Sequence, residues 1–288
     1  MVFATCLMLV VSAAFTLGLQ LYSLSRPPKS TYSANPAELN LKYEEVQIPT
    51  DDADVLVSGW FIPAKNGSNS VVLGLHGYGS NKAEVLPRLA FLADRYNLLL
   101  IDFRYFGDST GGYTTLGVEE MSEVRGSMNW LRERGYSDIG LYGMSLGGGM
   151  SLITMSEFGD AKCGVIESPF VDLRQVVRDS FENFGFLADH ATDGALLMAR
   201  LAGFDARGDF IYSLLFGLRK PVLVVRPMED RVVSPEHLDR LQEVLANDAN
   251  AEYWFLPGKG YGELGEGYTT RLGLFFEGCL FGQRVSLE

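Results

Sequence analysis

Histidine and cysteine are scarce in this sequence, three of each, and positive charge is in deficit. Cys6, Cys163 and Cys279 are too few and too scattered for a disulfide framework, and none has a metal-ligand spacing. Cys6 lies in an apolar leader, so at most one bridge can form, and Cys163 and Cys279 read as small buried residues. His76, His190 and His237 stand far apart, which excludes a clustered His/Cys metal site. No glycine-rich phosphate loop with its lysine occurs, so neither a nucleotide nor any other cofactor is expected. With 24 basic against 36 acidic residues the formal net charge is −12, which argues against nucleic acid and against an anionic membrane surface as partner of the folded part. A small molecule or a protein remains. Internal repeats and low-complexity tracts are also lacking.

What the chain has in quantity is apolar residues, 47% of 288, ample for a large buried core. Residues 2–24 carry no charge and, at about 1.5 Å per residue, are long enough to cross a bilayer. A basic n-region and a small-residue cleavage site are missing, so the segment reads as an uncleaved single-pass transmembrane anchor covering 1–25. Arg26 and Lys29 follow it, which by the positive-inside rule puts the domain on the cytoplasmic side. The Pro, Ser and Asn of 26–40 read as a linker lifting a domain, 41–288, off the membrane.

Apolar β-branched runs at 55–63, 71–77, 97–103, 139–145, 163–169, 221–227 and 251–257 alternate with helix-period segments near 81–95, 118–135, 146–157, 235–247 and 267–282. Continuous hydrophobicity means strands buried on both faces. The fold class is therefore α/β, a mostly parallel doubly wound sheet under helices. About fifty residues between Pro169 and Pro221 carry only helix-like patterns. A strandless insertion after a strand's C-terminal end falls over the crevice where such sheets bind ligands, so 170–218 reads as a helical lid.

In "LYGMSLGGG" a strand ends at Gly143-Met144-Ser145-Leu146-Gly147 and a helix begins. Such a tight turn pushes the Ser145 hydroxyl out at the sheet edge, as a nucleophile needs, and aims the Leu146 amide at charge developing on a carbonyl oxygen. His76-Gly77-Tyr78-Gly79 ends another strand, and the Tyr78 amide is the candidate for the second oxyanion donor. His76 itself reads as a structural residue that ties this loop down. Asp230, three residues past a strand end, is placed to orient a base arriving from the next loop.

Together "HGYGSN", "DFRYFGDSTGG", "GMSLGG" and "PVLVVRPMEDRVVSPEHLDRL" resemble the α/β-hydrolase superfamily from about Glu44 to Phe281, and most of all its membrane-anchored esterase, acyl-thioesterase and serine-aminopeptidase-like members. The resemblance implies a serine hydrolase for an ester, thioester or amide. The family often has glycine where Tyr105 stands and His-Gly where Arg226-Pro227 stand. The weightier departure lies in "PGKGYGELGE", where the family's catalytic histidine position holds Tyr261. A phenol with a reference pKa of about 10 is almost wholly protonated at neutral pH. It is expected to donate to Asp230 rather than to take the Ser145 proton. Substitute bases are His190, His237, or a Tyr261 made more acidic by Lys259, Arg226 or Arg231. The alternatives are a hydrolase weakened by Tyr261, a non-catalytic hydrolase-fold protein that binds a small acyl or carbonyl ligand or a protein partner, and a point change in an active lineage. The apolar lid residues suit an acyl chain equally as they suit the lid's own core.

Overall fold

The computed structural model describes residues 2–170, 172–201, 215, 218–230, 232–233, 235–246 and 250–282. Eight strands form one sheet in the order β1-β2-β4-β3-β5-β6-β7-β8. They are β1 (Glu44–Pro49), β2 (Leu56–Ile62), β3 (Ser70–Leu75), β4 (Asn97–Ile101), β5 (Asp138–Met144), β6 (Ala161–Glu167), β7 (Val222–Pro227) and β8 (Ala251–Leu256). β1 and β2 pair antiparallel with each other, and β2 pairs antiparallel with β4; every pairing from β4 through β8 is parallel. The central strands are buried along their full length, as continuous apolar runs require. β1 has no such run. Its "EEVQIP" buries only Val46 and Ile48, the alternation of a half-covered edge strand, and the sequence reading therefore missed it.

Helices cover both faces: α2 (Lys82–Leu89), α3 (Met121–Glu133), α4 (Leu146–Glu157), α7 (Pro235–Leu245) and α8 (Tyr268–Phe281), with α1 (Val2–Ser25), α5 (Leu173–Asp179) and α6 (Ala188–Leu201) outside this core. Chain order steps from β3 outward to β4 and then back across to β5, so the direction of winding reverses between β3 and β5. A crevice opens at their C-terminal ends, the usual ligand position in such sheets.

Three parts of the chain make contacts that the sequence did not announce. The helix expected over the leader is present as α1, but among the described residues no helix is long and apolar enough to cross a membrane. Instead Leu17, Leu21 and Leu24 of α1 pack on Val177, Phe181 and Leu196 of the helical insertion, and Gln20 Nε2 donates to Ser180 O at 3.0 Å. Leucines on one face find an apolar partner within the protein. The segment read as a linker is bound to the domain as well. Tyr32 sits against Trp60 and over the Lys82 ammonium, and its hydroxyl donates to Asp102 at 2.7 Å. Lys82 and Asp102, both buried, form an ion pair at 2.5 Å beneath it. Finally, Cys163 on β6 and Cys279 on α8 are joined as a disulfide across 116 residues of chain. The insertion is helical in its described part; 202–214 of the expected lid lie outside the described residues.

Candidate active site

Ser145 occupies the turn from β5 into α4 with φ 50° and ψ −115°, a conformation costly for a residue with a Cβ. The turn is held from several sides. Ser145 N donates to Glu167 O, Phe170 N to Ser145 O and Gly147 N to His76 O. A Cβ on Gly143 would collide with the Gly147 carbonyl, and one on Gly147 would stand 2.8 Å from His76 O. Glycine at these two positions is what lets the helix approach the strand ends. Strain at a serine that packing over-determines is the arrangement the sequence motif calls for.

The neighbouring loop after β3 is fixed by His76. Its Nε2 accepts from Phe103 N at 3.0 Å, which leaves Nδ1 to donate to Gly77 O at 2.7 Å. Complete burial lowers its pKa, so the ring is neutral in this tautomer. The structural assignment of His76 agrees with these bonds. Tyr78 follows, and its phenol donates to Leu24 O at the end of α1 while burial raises its pKa to about 12. Leu146 opens α4, where the first amides have no carbonyl one turn earlier to bond. Leu146 directly follows Ser145, and Gly77, the residue before Tyr78, would bring a Cβ to 3.4 Å from Ser145 Cβ.

Tyr261 reaches this group from the loop after β8, but not in the manner anticipated. Its hydroxyl oxygen lies 2.8 Å from the point where a Cβ on Gly77 would stand, and Ser145 Cβ lies 3.4 Å from the same point. Asp230 does not receive the phenol. Its Oδ1 accepts from Val232 N at 2.8 Å and Val233 N at 3.0 Å, and its buried Oδ2 has no hydrogen-bond partner. Asp230, expected to orient a base, thus keeps one buried oxygen without a partner. The Tyr261 pKa moves upward, first through burial and then through the charge of Glu84, with Glu167 and Asp230 contributing. That direction overturns the expectation of a phenol made acidic by Lys259, Arg226 or Arg231. The Arg226 guanidinium is committed to Asp239 at 2.5 Å, and Arg231 lies outside the described residues. Of the substitute histidines, His190 is exposed on α6, and the side chain of His237 lies outside the described residues.

Several acids that sequence reasoning passed over surround the site. Glu167, fully buried at the end of β6, accepts from Tyr142 Oη at 2.8 Å and Tyr268 Oη at 2.7 Å, with Arg88 Nε at 3.8 Å. Arg88 also donates to Gly262 O at 2.5 Å, so one guanidinium ties α2 to the loop that carries Tyr261. Glu84, one turn earlier on α2, has a buried Oε2 with no hydrogen-bond partner. A signal for Glu167 existed, an acid closing a buried strand in "CGVIESP". Glu84 looked like an ordinary first-turn helix acid. Separately, a cavity of about 390 Å³ lies between α1, α5, α6 and the segment Tyr113–Val118, lined by Leu21, Leu24, Leu116, Val177 and Leu196 among others.

Comparison with known proteins gives this geometry a lineage. The family model described as X-Pro dipeptidyl-peptidase (S15 family) matches residues 49–254. The chain is 26% identical over 153 residues to protein bem46 of Schizosaccharomyces pombe, covering 51% of this chain and 50% of that protein. It is 25% identical over 205 residues to human protein ABHD12B, covering 65% and 53%. The chain thus spans about half the length of these curated relatives. Among solved structures, an esterase from Pyrococcus furiosus superposes with a TM-score of 0.72 at 26% identity, covering 89% of this chain and 98% of that one.

Proposed function

We propose, for a chain that belongs to the X-Pro dipeptidyl-peptidase (S15) family of α/β-hydrolase proteins, a serine hydrolase that cleaves an ester, thioester or amide through Ser145. The observation that carries this reading is the Ser145 turn itself, strained and locked by Gly143 and Gly147. Seated in the crevice, a carbonyl substrate would place its carbon on Ser145 Oγ and its oxygen between the Tyr78 and Leu146 amides. Charge developing on that oxygen meets fixed amide dipoles and the positive end of α4. The cavity beneath α1 supports an apolar acyl portion in the substrate.

The weak point is the base. In a serine protease, removing the histidine costs about 10⁶-fold in turnover, while about 10³-fold over water survives from binding and the oxyanion donors. Tyr261, with its pKa raised, is a poor replacement for that histidine. A second reading therefore stands on the same phenol: a hydrolase-fold protein that binds an acyl or carbonyl ligand, or a protein partner, without turning it over. Hydrolysis of a short activated acyl ester beside a Ser145→Ala control separates the two. Turnover that disappears with Ser145 supports the hydrolase, and equal traces in both proteins support the binder.

Attachment to a membrane through residues 2–24 is part of the same proposal, supported by their lack of charge. Which side the domain faces is a proposal too. Arg26 and Lys29 favour the cytoplasmic side, whereas the Cys163–Cys279 bond favours an oxidising compartment. Carbonate washing tests the attachment. Retention in the membrane fraction is expected, and release into the supernatant refutes it.

A further inference from the structure

The cavity beneath α1 is apolar along most of its wall and cationic at one point. Side chains of α1, α5, α6 and the segment Tyr113–Val118 line it, and its volume of about 390 Å³ is that of a small-molecule pocket. The hydroxyls of Thr114 and Thr115 on that wall already donate to Glu120, and Ser25 Oγ donates to Tyr22 O at 3.0 Å. Among the described lining residues Arg26 alone is charged. Its guanidinium stands 4.7 Å from the centre of the Tyr22 ring and 5.3 Å from that of Tyr113, and Nη1 donates to Ser25 Oγ at 3.1 Å. No carboxylate among the described residues pairs with it, whereas Arg95, Arg104, Arg125, Arg132 and Arg134 each meet one. In a chain of net charge −12 such a guanidinium is the exception. The backbone around Arg26 is also tied to the domain, since Tyr78 Oη donates to Leu24 O, Thr114 N to Ser25 O and Tyr105 Oη to Pro27 O.

We propose that this cavity is a binding site for a long-chain carboxylate, its alkyl chain held between α1 and the helices α5 and α6 and its head group on the Arg26 guanidinium. The chain exchanges water for contact with Leu21, Val177 and Leu196. The N–H groups of the guanidinium that are not used on Ser25 offer the head paired, charge-assisted hydrogen bonds, and the flanking tyrosine rings keep part of the water away and so strengthen the attraction. One guanidinium balances one negative charge. A phosphate monoester carries about −1.5 to −2 at neutral pH and would remain partly uncompensated, so the site selects a carboxylate. Because the neighbours of Arg26 are held beforehand, little ordering is left to do at the head-group end. The inference shares with the hydrolase reading only an acyl chain in this cavity, and it stands whether or not Ser145 turns a substrate over. It also gives α1 a role in recognition, since Leu21 and Leu24 form one wall of the site.

The experiment measures displacement of a dansyl-labelled undecanoate from the full chain carrying Ser145→Ala, so that turnover does not intervene. The competitors are dodecanoate, dodecyl phosphate, dodecanol and dodecyltrimethylammonium, which share one chain and differ in the head. Dodecanoate should bind at least tenfold more tightly than the alcohol or the cation, and more tightly than the phosphate. Arg26→Gln should remove that preference while the affinity for dodecanol stays within twofold. Arg26→Lys, which keeps the charge and loses the fork, should fall between the two. Gly18→Leu tests the chain end of the site: a Cβ there stands 3.7 Å from Met198 Cε, so the larger side chain enters the cavity without a clash at its first carbon. It should weaken dodecanoate and dodecanol alike by at least tenfold. Equal affinity for dodecanoate and dodecanol overturns the inference, and that comparison uses a single protein, so it does not depend on how the Arg26 or Gly18 variants fold. A preference that survives Arg26→Gln, affinities untouched by Gly18→Leu, or tighter binding of the phosphate than of the carboxylate overturns it as well. None of these outcomes bears on the hydrolase reading, which the ester assay tests separately.

Discussion

The two ends of the crevice are built to different standards. At the β3 and β5 ends, Gly77, His76, Ser145 and Gly147 are interlocked by backbone hydrogen bonds, and there is no room for one more carbon atom. At the β7 and β8 ends, Asp230 keeps a buried oxygen without a partner, and Tyr261 Oη reaches to the Cβ position of Gly77. On the proposed reading the first end binds and polarises a carbonyl and tolerates no change in shape. On the same reading the second handles protons, and there a single side chain alters the chemistry without disturbing the fold. Lys82, Asp102 and Tyr32 show how this protein treats a buried carboxylate that has a purely structural role: it is fully partnered. By that standard Glu84, Glu167 and Asp230, each with one bare buried oxygen, stand apart.

The largest effect should come from breaking the rigid end. Gly143→Ala drives a methyl to 2.1 Å from the Gly147 carbonyl oxygen, a backbone contact that no side-chain rotation relieves. Urea denaturation should show a loss of about 3 kcal/mol, with activity lost as well. Stability near that of wild type would mean the elbow is looser than drawn. Tyr261→His addresses the adaptable end. It should raise Ser145-dependent turnover at least tenfold, because Asp230 Oδ2 is free to accept from an imidazole and orient it. No gain in a folded variant would mean the loop holds residue 261 too far from Asp230. The smallest effect is Asp230→Asn in the wild-type background. An asparagine oxygen can still accept from Val232 and Val233, so the denaturation midpoint should hardly move. Combined with Tyr261→His, the same change should remove the gain, an interaction that a double-mutant cycle reads directly.

A quieter pH dependence separates the crevice from the rest of the domain. Glu123, buried beside Glu120 and paired with Arg104, has its pKa raised to about 7, chiefly by burial. Its folded form holds a proton that the unfolded chain releases near pH 4.5, so its contribution to stability falls as pH rises from there to about 7 and is level above. Comparing the denaturation midpoints of wild type and Glu123→Gln over that interval should show the slope shrink.

Much of the fold is legible in one dimension because buried parallel strands must be apolar throughout, which marked seven of the eight. The glycines around Ser145 were equally legible, since a strand-to-helix turn this tight has few residue choices. Tyr105 marks the limit of such reasoning. It stands where the resembling family often has glycine, and the backbone there does take φ 70°, yet the chain tolerates a phenol whose hydroxyl donates to Pro27 O. The half-apolar edge strand β1, the Cys163–Cys279 bond and the packing of α1 and Tyr32 on the domain left no periodic trace, because each depends on a partner distant along the chain.

Sequence alone determined the sheet and the Ser145 elbow, for these follow from local composition and the stereochemistry of short turns; Tyr261 in the histidine position is what the family resemblance implies. Tertiary structure alone decided that Tyr261 Oη, Ser145 and Glu84 of α2 meet beside Gly77 and that Asp230 keeps one buried oxygen without a partner. Those outcomes turn on ångström-scale distances between side chains brought together from α2, β5, β7 and β8, and no spacing along the chain encodes them.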